Sequence, residues 1–279
     1  MKTQFYAIFL VAFILNIVSC KRVENNKELL SVKSEDINNR LEQEHLVMST
    51  LWFQQSAEMR AVYYQAYNFA KLALENNLAN LDTSSTKQAV VILDIDETIL
   101  DNSPFEAMCI KTGLGYTGEN WKNWTALASA KVLPGAIDFL LHAKAKGVKA
   151  IYVSNRREEE LERTMKNMKN LGFPFVEKAN FFLRTEESSK TKRREKISKK
   201  YEIVLLIGDN LADFSDIYES RNEKLALDVV DANKNDFGTK YIILPNPMYG
   251  DWEKAIYKND YSLSPEHKDS LRKASLIAY

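Results

Sequence analysis

An apolar run at residues 89–93 (AVVIL) ends abruptly at Asp94, and a second aspartate, Asp96, follows two positions later. Short β-branched runs of this kind, bounded by polar residues, are typical of strands buried on both faces, as in a parallel sheet. A carboxylate directly after such a strand lies at the carboxyl edge of the sheet, where open α/β folds bind ligands. Two neighbouring carboxylates repel each other unless a proton or cation neutralises them, and Mg²⁺ prefers oxygen ligands. This stretch therefore predicts an α/β fold with a magnesium site after its first strand.

Further segments have the pattern of strands, and helical patterns separate them. Residues 148–153, 203–207 and 241–244 are buried-strand candidates, and 180–184 is a shorter one. Residues 136–146 and 158–171 have helical patterns, each followed by a glycine, which commonly ends helices. Alternating strands and helices are typical of parallel sheets, because parallel strands need long crossover connections. We therefore predict a doubly wound parallel sheet.

Polar side chains follow several of these strands. Ser154 comes after the second strand, and Asp209 and Asp213 come after 203–207. The loops after parallel strands converge on one edge, so these groups can meet the two aspartates of the first strand. A basic segment, 190–200, supplies lysines between them. One aspartate at a strand end is weak evidence, because aspartate is common in turns, but paired acids on two strands indicate a site.

The N-terminal segment has the features of an export signal. Lys2 precedes an apolar stretch at 5–18, which is shorter than the ~20 residues that a membrane-spanning helix needs. Residues 1–19 therefore predict a cleaved signal peptide. The tetrapeptide Ile-Val-Ser-Cys at 17–20 resembles the lipobox of bacterial lipoproteins, which implies lipidation of Cys20. The alternatives are an ordinary signal peptide with an incidental cysteine, or a disulfide from Cys20 to Cys109.

The rest of the chain is predicted to be a tether and one domain. Residues 20–36 are polar and lack aromatics, as in flexible tethers, and the domain spans 37–279. Amphipathic helical periodicity over about 37–80 precedes the first strand. The Ser-Pro pair at 103–104 predicts an extended or turning backbone, followed by a glycine-rich insertion up to 133. We expect 37–80 and 103–133 to supply cap elements over the sheet edge.

Charge argues against one class of partner. The chain has 38 basic and 38 acidic residues, which gives a formal net charge of +0. Proteins that bind nucleic acid polymers usually carry basic excess or basic patches. We therefore expect no nucleic acid polymer as a partner.

Four motifs together resemble the haloacid dehalogenase-like phosphohydrolases. The stretch at 94–98 (DIDET) looks like their first motif, Ser154 fits the second, Lys190 the third, and 208–213 (GDNLAD) the fourth. Within that superfamily, ILDIDETILDNSPF and LLIGDNLADF are similar to the class C nonspecific acid phosphatases, the lipoprotein e family. The likeness covers about residues 46–252. It implies a Rossmannoid α/β fold with a small cap and N-terminal helices.

The resemblance implies roles for the acids. Asp94 would be the nucleophile that forms an aspartyl-phosphate, and Asp96 would act as general acid and then general base. Mg²⁺ would bind the Asp94 carboxylate, the Asp96 backbone carbonyl and the Asp209 carboxylate. Asp213 would hold a metal-bound water or orient the site.

The resemblance also implies groups that bind the substrate. Ser154 would contact a phosphate oxygen, with Asn155 and Arg156 beside it, and a lysine would neutralise phosphoryl charge. Lys190 is the best match for that lysine, and Lys192 is its rival.

Aromatic residues are the candidates for specificity. Tyr249 matches a family position that stacks on a nucleobase, and Phe105 or Trp252 would form the opposite wall. The alternative is that these aromatics belong to the core.

The sequence thus predicts a lipid-anchored, Mg²⁺-dependent acid phosphatase that hydrolyses phosphomonoesters, 5′-nucleotides included. Its expected location is the cell envelope, in the outer membrane of a Gram-negative bacterium, held by lipidated Cys20. One alternative is a surface lipoprotein that binds nucleotide or haem without turnover. Another is a phosphotransferase whose acceptor is not water. Whether the protein forms a homo-oligomer stays open.

Overall fold

The computed structural model describes residues 43–82, 84, 86–219 and 226–279. The predicted signal peptide, Cys20 and the tether lie outside the described residues. The strands are β1 (Ala89–Leu93), β2 (Leu100–Asp101), β3 (Lys131–Val132), β4 (Lys149–Arg157), β5 (Phe181–Arg184), β6 (Glu202–Gly208) and β7 (Tyr241–Ile243). The helices are α1 (Val47–Gln55), α2 (Ala57–Ala79), α3 (Ser103–Thr112), α4 (Gly118–Ala126), α5 (Ala136–Ala145), α6 (Leu161–Asn170), α7 (Thr191–Ser198), α8 (Leu227–Ala232), α9 (Asp251–Ile256) and α10 (Pro265–Ala274).

Five parallel strands form the main sheet, in the order β5-β4-β1-β6-β7. The chain runs from β1 outward to β4 and β5 on one side, and then to β6 and β7 on the other. This reversal makes β1 the topological switch point, where open α/β sheets bind ligands. The predicted doubly wound α/β fold is confirmed.

The alternating residues of β1 explain why both faces of the sheet are covered. Val91 and Leu93 belong to the larger apolar core, whereas Val90 and Ile92 belong to a smaller cluster that includes Ile197 of α7. Successive side chains of a strand point to opposite faces, so a strand that is apolar throughout needs a layer on each side.

Helix α2 belongs to the larger core, so residues 57–79, within the span 37–80 that was expected to supply cap elements, cover the sheet instead. Tyr63, Tyr67, Ala70 and Leu74 on this helix are each at most 1% exposed. The Tyr67 hydroxyl donates a hydrogen bond to the Thr98 carbonyl at 2.7 Å. The apolar stripe of α2 therefore covers the sheet. Burial of these side chains stabilises the fold, whereas a helix over the sheet edge would leave them in water. Helix α1 packs against α3 of the insertion.

The insertion between β1 and α5 is also more regular than predicted. Ser103 and Pro104 begin α3 instead of extending the chain, because a proline in the first turn of a helix lacks only an N–H that would be unpaired anyway. The Asp101 carboxylate accepts the Ser103 N–H at 2.9 Å and stabilises this helix start. Helices α3 and α4 and the antiparallel pair β2–β3 make up much of this glycine-rich insertion.

Among the described residues, no helix combines the length and apolar character that crossing a membrane requires.

Candidate active site

Asp94 occupies the end of the central strand. Its backbone N–H donates to the Ile207 carbonyl of β6 at 3.0 Å. The first residue of the loop after β1 is therefore still hydrogen-bonded to the neighbouring strand. The residue is 9% exposed. Burial raises the pKa of Asp94 to about 7; the Lys190 ammonium opposes the shift, and the carboxylates of Asp213 and Asp96 add to it. A negative charge on the Asp94 carboxylate is therefore unfavourable unless a nearby cation compensates it.

Three carboxylates converge at this point. Ligand oxygens of Asp94, Asp209 and Asp213 all lie within 4.8 Å of one another. The Lys190 Nζ contacts Oδ1 of Asp94 and Oδ1 of Asp213, both at 2.6 Å. Burial raises the pKa of Asp209 strongly, and the neighbouring Asp213 and Asp94 carboxylates raise it further. One ammonium cannot neutralise three carboxylates, so this set of hard oxygen donors fits a divalent cation.

The turn after β6 explains how Asp209 and Asp213 reach the same place. The Asn210 N–H donates to Oδ2 of Asp213 at 3.0 Å, and the Asn210 side chain accepts the Ala212 N–H, forming a tight single turn. A Cβ on Gly208 would lie 2.2 Å from Oδ2 of Asp213, so only glycine leaves room for that carboxylate. The Asn246 side chain donates to Oδ2 of Asp209 at 2.9 Å and orients it.

The Asp96 carboxylate lies outside the three-carboxylate cluster. Arg156 donates to it from Nε at 3.0 Å and from Nη2 at 2.8 Å, and Asn102 donates to it at 2.7 Å. Its other oxygen accepts the Ser154 hydroxyl at 3.4 Å. The Asp96 side chain is thus oriented by Arg156, Asn102 and Ser154.

Ser154, Asn155 and Arg156 lie within β4, which continues to Arg157 rather than ending at 153. Ser154 is fully buried, and its Oγ accepts the Arg156 N–H at 3.1 Å. Asn155 is exposed at the cavity, and Arg156 is 3% exposed with its guanidinium 5.6 Å from the Trp121 ring centre.

The structure distinguishes the two candidate lysines. Lys190 is 5% exposed and contacts the acid cluster. The Lys192 side chain is 77% exposed and pairs with Glu187 on the surface. Of these two lysines, Lys190 is therefore the one in contact with the acid cluster.

A cavity of about 840 Å³ opens over the cluster. Tyr249 lines it, as expected, together with Tyr116 and Trp121, which the motifs did not assign to the site. The only signal for these two was their place in the insertion expected to overhang the sheet edge.

Phe105 and Trp252 are the two residues expected to form the opposite wall. Phe105 is 1% exposed and packs edge-on against Trp121 and Tyr116, which separate it from the cavity. Trp252 is 39% exposed and is absent from the lining; its indole N–H donates to the Tyr249 carbonyl at 3.2 Å. The burial of Phe105 matches the alternative that these aromatics belong to the core, because helix positions in the insertion depend on packing that local sequence does not specify. A wall formed by Trp252 stays a prediction.

Glu97 is a buried residue to which the motifs also assigned no role. Its carboxylate accepts the Asn102 N–H at 2.7 Å on one oxygen and the Tyr249 hydroxyl on the other. Burial raises its pKa strongly, and its φ of +50° holds the loop in a tight turn. Glu97 therefore links the loop after β1 to the aromatic ring that lines the cavity.

Comparison with known proteins agrees with this geometry. The family model described as HAD superfamily, subfamily IIIB (Acid phosphatase), matches residues 12–252. The class C acid phosphatase from Bacillus anthracis with tungstate bound is similar, with a TM-score of 0.80 and 42% identity over 85% of this chain and 98% of that one. A second structure of that enzyme gives the same TM-score and identity over 86% and 99%.

A plant protein is a more distant relative. Vegetative storage protein 1 of Arabidopsis thaliana is 32% identical over 181 residues, 60% of this chain and 62% of the storage protein. The chain therefore matches less than two thirds of that relative's length.

Proposed function

Because the chain belongs to subfamily IIIB of the HAD superfamily, a family of acid phosphatases, we propose that it is a metal-dependent phosphomonoesterase. The observation that carries the proposal is the position of Asp94, a buried carboxylate in contact with Lys190 and beside Asp209 and Asp213. This arrangement combines a nucleophile, a fixed positive charge and a cation site at the switch point of the sheet.

In the proposed reaction, a carboxylate oxygen of Asp94 attacks phosphorus, and the bond from phosphorus to the leaving oxygen breaks. Asp96 donates a proton to that oxygen. Water then attacks the phosphoaspartate, Asp96 accepts the water's proton, and phosphate leaves with Asp94 regenerated. Lys190 and Ser154 offer hydrogen-bond donors to the oxygens of the transferring group. A divalent cation held by Asp94, Asp209 and Asp213 would supply further neutralisation of the phosphoryl charge.

We propose Mg²⁺ as that cation, because the three carboxylates and the expected Asp96 carbonyl are all oxygen ligands, and phosphate oxygens would complete the coordination. EDTA treatment is expected to abolish hydrolysis of p-nitrophenyl phosphate, and added Mg²⁺ to restore it. The measurement is release of p-nitrophenol and of inorganic phosphate at several metal concentrations, with Ca²⁺ as the comparison ion.

Other outcomes of that assay would favour the alternatives. Full activity in EDTA would contradict a metal-dependent enzyme. Binding of AMP or haem without turnover in any metal would favour a binding lipoprotein. Release of nitrophenol that exceeds release of phosphate when glycerol is added would favour a phosphotransferase.

The aromatic lining supports nucleotides among the substrates. Tyr116, Trp121 and Tyr249 line a cavity of about 840 Å³, which is larger than a phosphate group alone requires. Aromatic rings stack on any nucleobase, which suits a site that accepts several bases.

Tyr249→Ala is expected to raise the KM for AMP by about 10-fold, because a stacking contact contributes about 1–3 kcal/mol. Tyr249→Phe keeps the ring and loses the bond to Glu97, so a smaller rise is expected. The KM for glycerol 2-phosphate, which has no ring, should change little. Tyr64→Ala, at a tyrosine that is 43% exposed on α2, is the control. Equal effects on both substrates would contradict stacking.

We also propose that the protein is a lipoprotein of the cell envelope, in the outer membrane of a Gram-negative bacterium. The charged start, the apolar stretch at 5–18 and Cys20 at the end of a lipobox-like sequence support export and lipidation. The resemblance to the lipoprotein e family supports the outer membrane. Several acyl chains on one cysteine would anchor the domain firmly. A single acyl chain holds a protein on a membrane only marginally.

Cys20→Ser is expected to leave the full-length chain without acyl groups and to move it from the membrane fraction to the soluble fraction. Mass spectrometry of the N-terminal peptide and fractionation of the envelope measure both effects. Cys109→Ser, at a buried free cysteine, is the matched control. An unmodified N-terminus in the wild-type protein would favour an ordinary signal peptide.

A further inference from the structure

Arg193, in the first turn of α7, connects two segments of the candidate site. Its Nη1 donates to the Ser154 carbonyl at 2.6 Å, and its Nη2 donates to Oδ1 of Asn155 at 2.7 Å. The same Nη2 lies 3.1 Å from the Ser188 carbonyl and 3.0 Å from the Ser189 carbonyl. One guanidinium therefore spans the end of β4 and the loop that leads into Lys190.

These contacts need the planar fork of an arginine. The four acceptors are three backbone carbonyls and one side-chain amide, so none of them is a carboxylate that would neutralise the charge. Burial lowers the pKa of Arg193, while the charge on Asp94 raises it. An arginine stays charged under such conditions and has several N–H donors in one plane, whereas a lysine has one compact ammonium.

The segments that Arg193 joins carry two of the groups proposed to hold the phosphoryl oxygens. Ser154 belongs to β4, and Lys190 directly precedes α7. Ser154 is also in contact with Asp96, and Lys190 with Asp94. The distance between these two donors therefore depends on how β4 and the start of α7 are held together.

We propose that Arg193 is a positioning residue that sets the spacing of Ser154 and Lys190 for the transition state of phosphoryl transfer. This inference rests on the proposed phosphomonoesterase function. The equatorial oxygens of a transferring phosphoryl group spread relative to the ground state, and donors aimed at them act mainly in the transition state. A shift of about 1 Å in such donors can cost about 100-fold in rate. Loss of the Arg193 hydrogen bonds should therefore lower kcat more than it weakens the binding of phosphate.

The test compares Arg193→Lys and Arg193→Ala with Lys192→Ala, a control at an exposed basic residue on the same helix turn. For both Arg193 variants we expect kcat to fall by about 10–100-fold. Inhibition by orthovanadate, which mimics the trigonal-bipyramidal transition state, should weaken by a similar factor. Inhibition by phosphate should change by less than about 3-fold on the same reasoning. Guanidinium added to Arg193→Ala should restore part of kcat, which a general loss of stability would not allow.

Two results would overturn the inference. One is an Arg193→Lys variant that keeps the wild-type kcat and vanadate affinity. The other is an equal loss of vanadate and phosphate affinity together with a lower Tm and no rescue by guanidinium, since that pattern indicates general structural support. If the wild-type protein hydrolyses no phosphomonoester, the proposed function fails, and calorimetric binding of vanadate and phosphate to the same variants still decides the role of Arg193.

Discussion

Asp94→Asn is expected to lower kcat for p-nitrophenyl phosphate by about 10⁴-fold or more, because loss of a nucleophile removes the covalent route altogether. The amide has nearly the same shape as the carboxylate, so the backbone bond from Asp94 to Ile207 should persist. Stopped-flow and steady-state assays in saturating Mg²⁺ measure the loss of kcat. Acid quench should trap the aspartyl-phosphate only in the wild-type protein.

The stability of this variant gives a second readout with a defined sign. Burial raises the pKa of Asp94 to about 7 in the folded protein, against about 3.9 for an unfolded aspartate. The folded state therefore binds more protons between these values, and the free energy of unfolding of the metal-free wild type falls as pH rises from about 4 to about 7. Asn does not titrate, so the free energy of unfolding of Asp94→Asn lacks this fall. The Tm of the variant minus that of the wild type should therefore increase from about pH 4 to about pH 7.

A matched control separates these effects from a general effect of replacing an aspartate. Asp216→Asn changes an exposed residue that follows the same strand as Asp209 and Asp213, and it should leave kcat within about 2-fold of the wild type. Substantial turnover by Asp94→Asn in a sample free of wild-type protein would place the nucleophile elsewhere.

Lys190→Ala is expected to lower kcat/KM by about 10³-fold, since the ammonium contacts Asp94, where phosphoryl charge develops in the proposed reaction. The metal-free variant should also lose about 3 kcal/mol of stability, because removing one partner of a buried ion pair leaves the other uncompensated. Chemical denaturation at pH 8, with and without Mg²⁺, measures this loss. Added Mg²⁺ should recover much of it by neutralising the three carboxylates.

Lys192→Ala is the control for this experiment, because that side chain lies on the surface with Glu187. Activity and stability should stay close to those of the wild type, as expected for an exposed ion pair. A loss of activity in Lys192→Ala as large as that in Lys190→Ala, or wild-type activity in Lys190→Ala, would contradict the assignment of charge neutralisation to Lys190.

Local sequence was sufficient for the strands and for the acids that come after them. A five-residue apolar run must be buried on both faces, so β1 could be predicted from its composition alone. The helix starting at Ser103 was missed, because a Ser-Pro pair is compatible with both a turn and a helix start. Which of the two forms depends on whether the next residues, Phe105 among them, find a core to pack against.

Side-chain roles depended on contacts between distant segments. Whether Lys190 or Lys192 faces the acids depends on how the start of α7 is placed against β4, and Arg193 contributes to that placement. The burial of Phe105 behind Tyr116 and Trp121 likewise depends on how α3 packs against the segment leading into α4.

The amino-acid sequence by itself thus determined the α/β class, the family resemblance and the two pairs of acids, because these depend on apolar runs and motifs a few residues long. The tertiary structure alone decided which lysine is buried, that the Asp96 carboxylate pairs with Arg156, and which aromatics line the cavity. The physical reason is that strand identity depends on short-range hydrophobic pattern, whereas the partner of a polar side chain depends on packing among residues far apart in the chain.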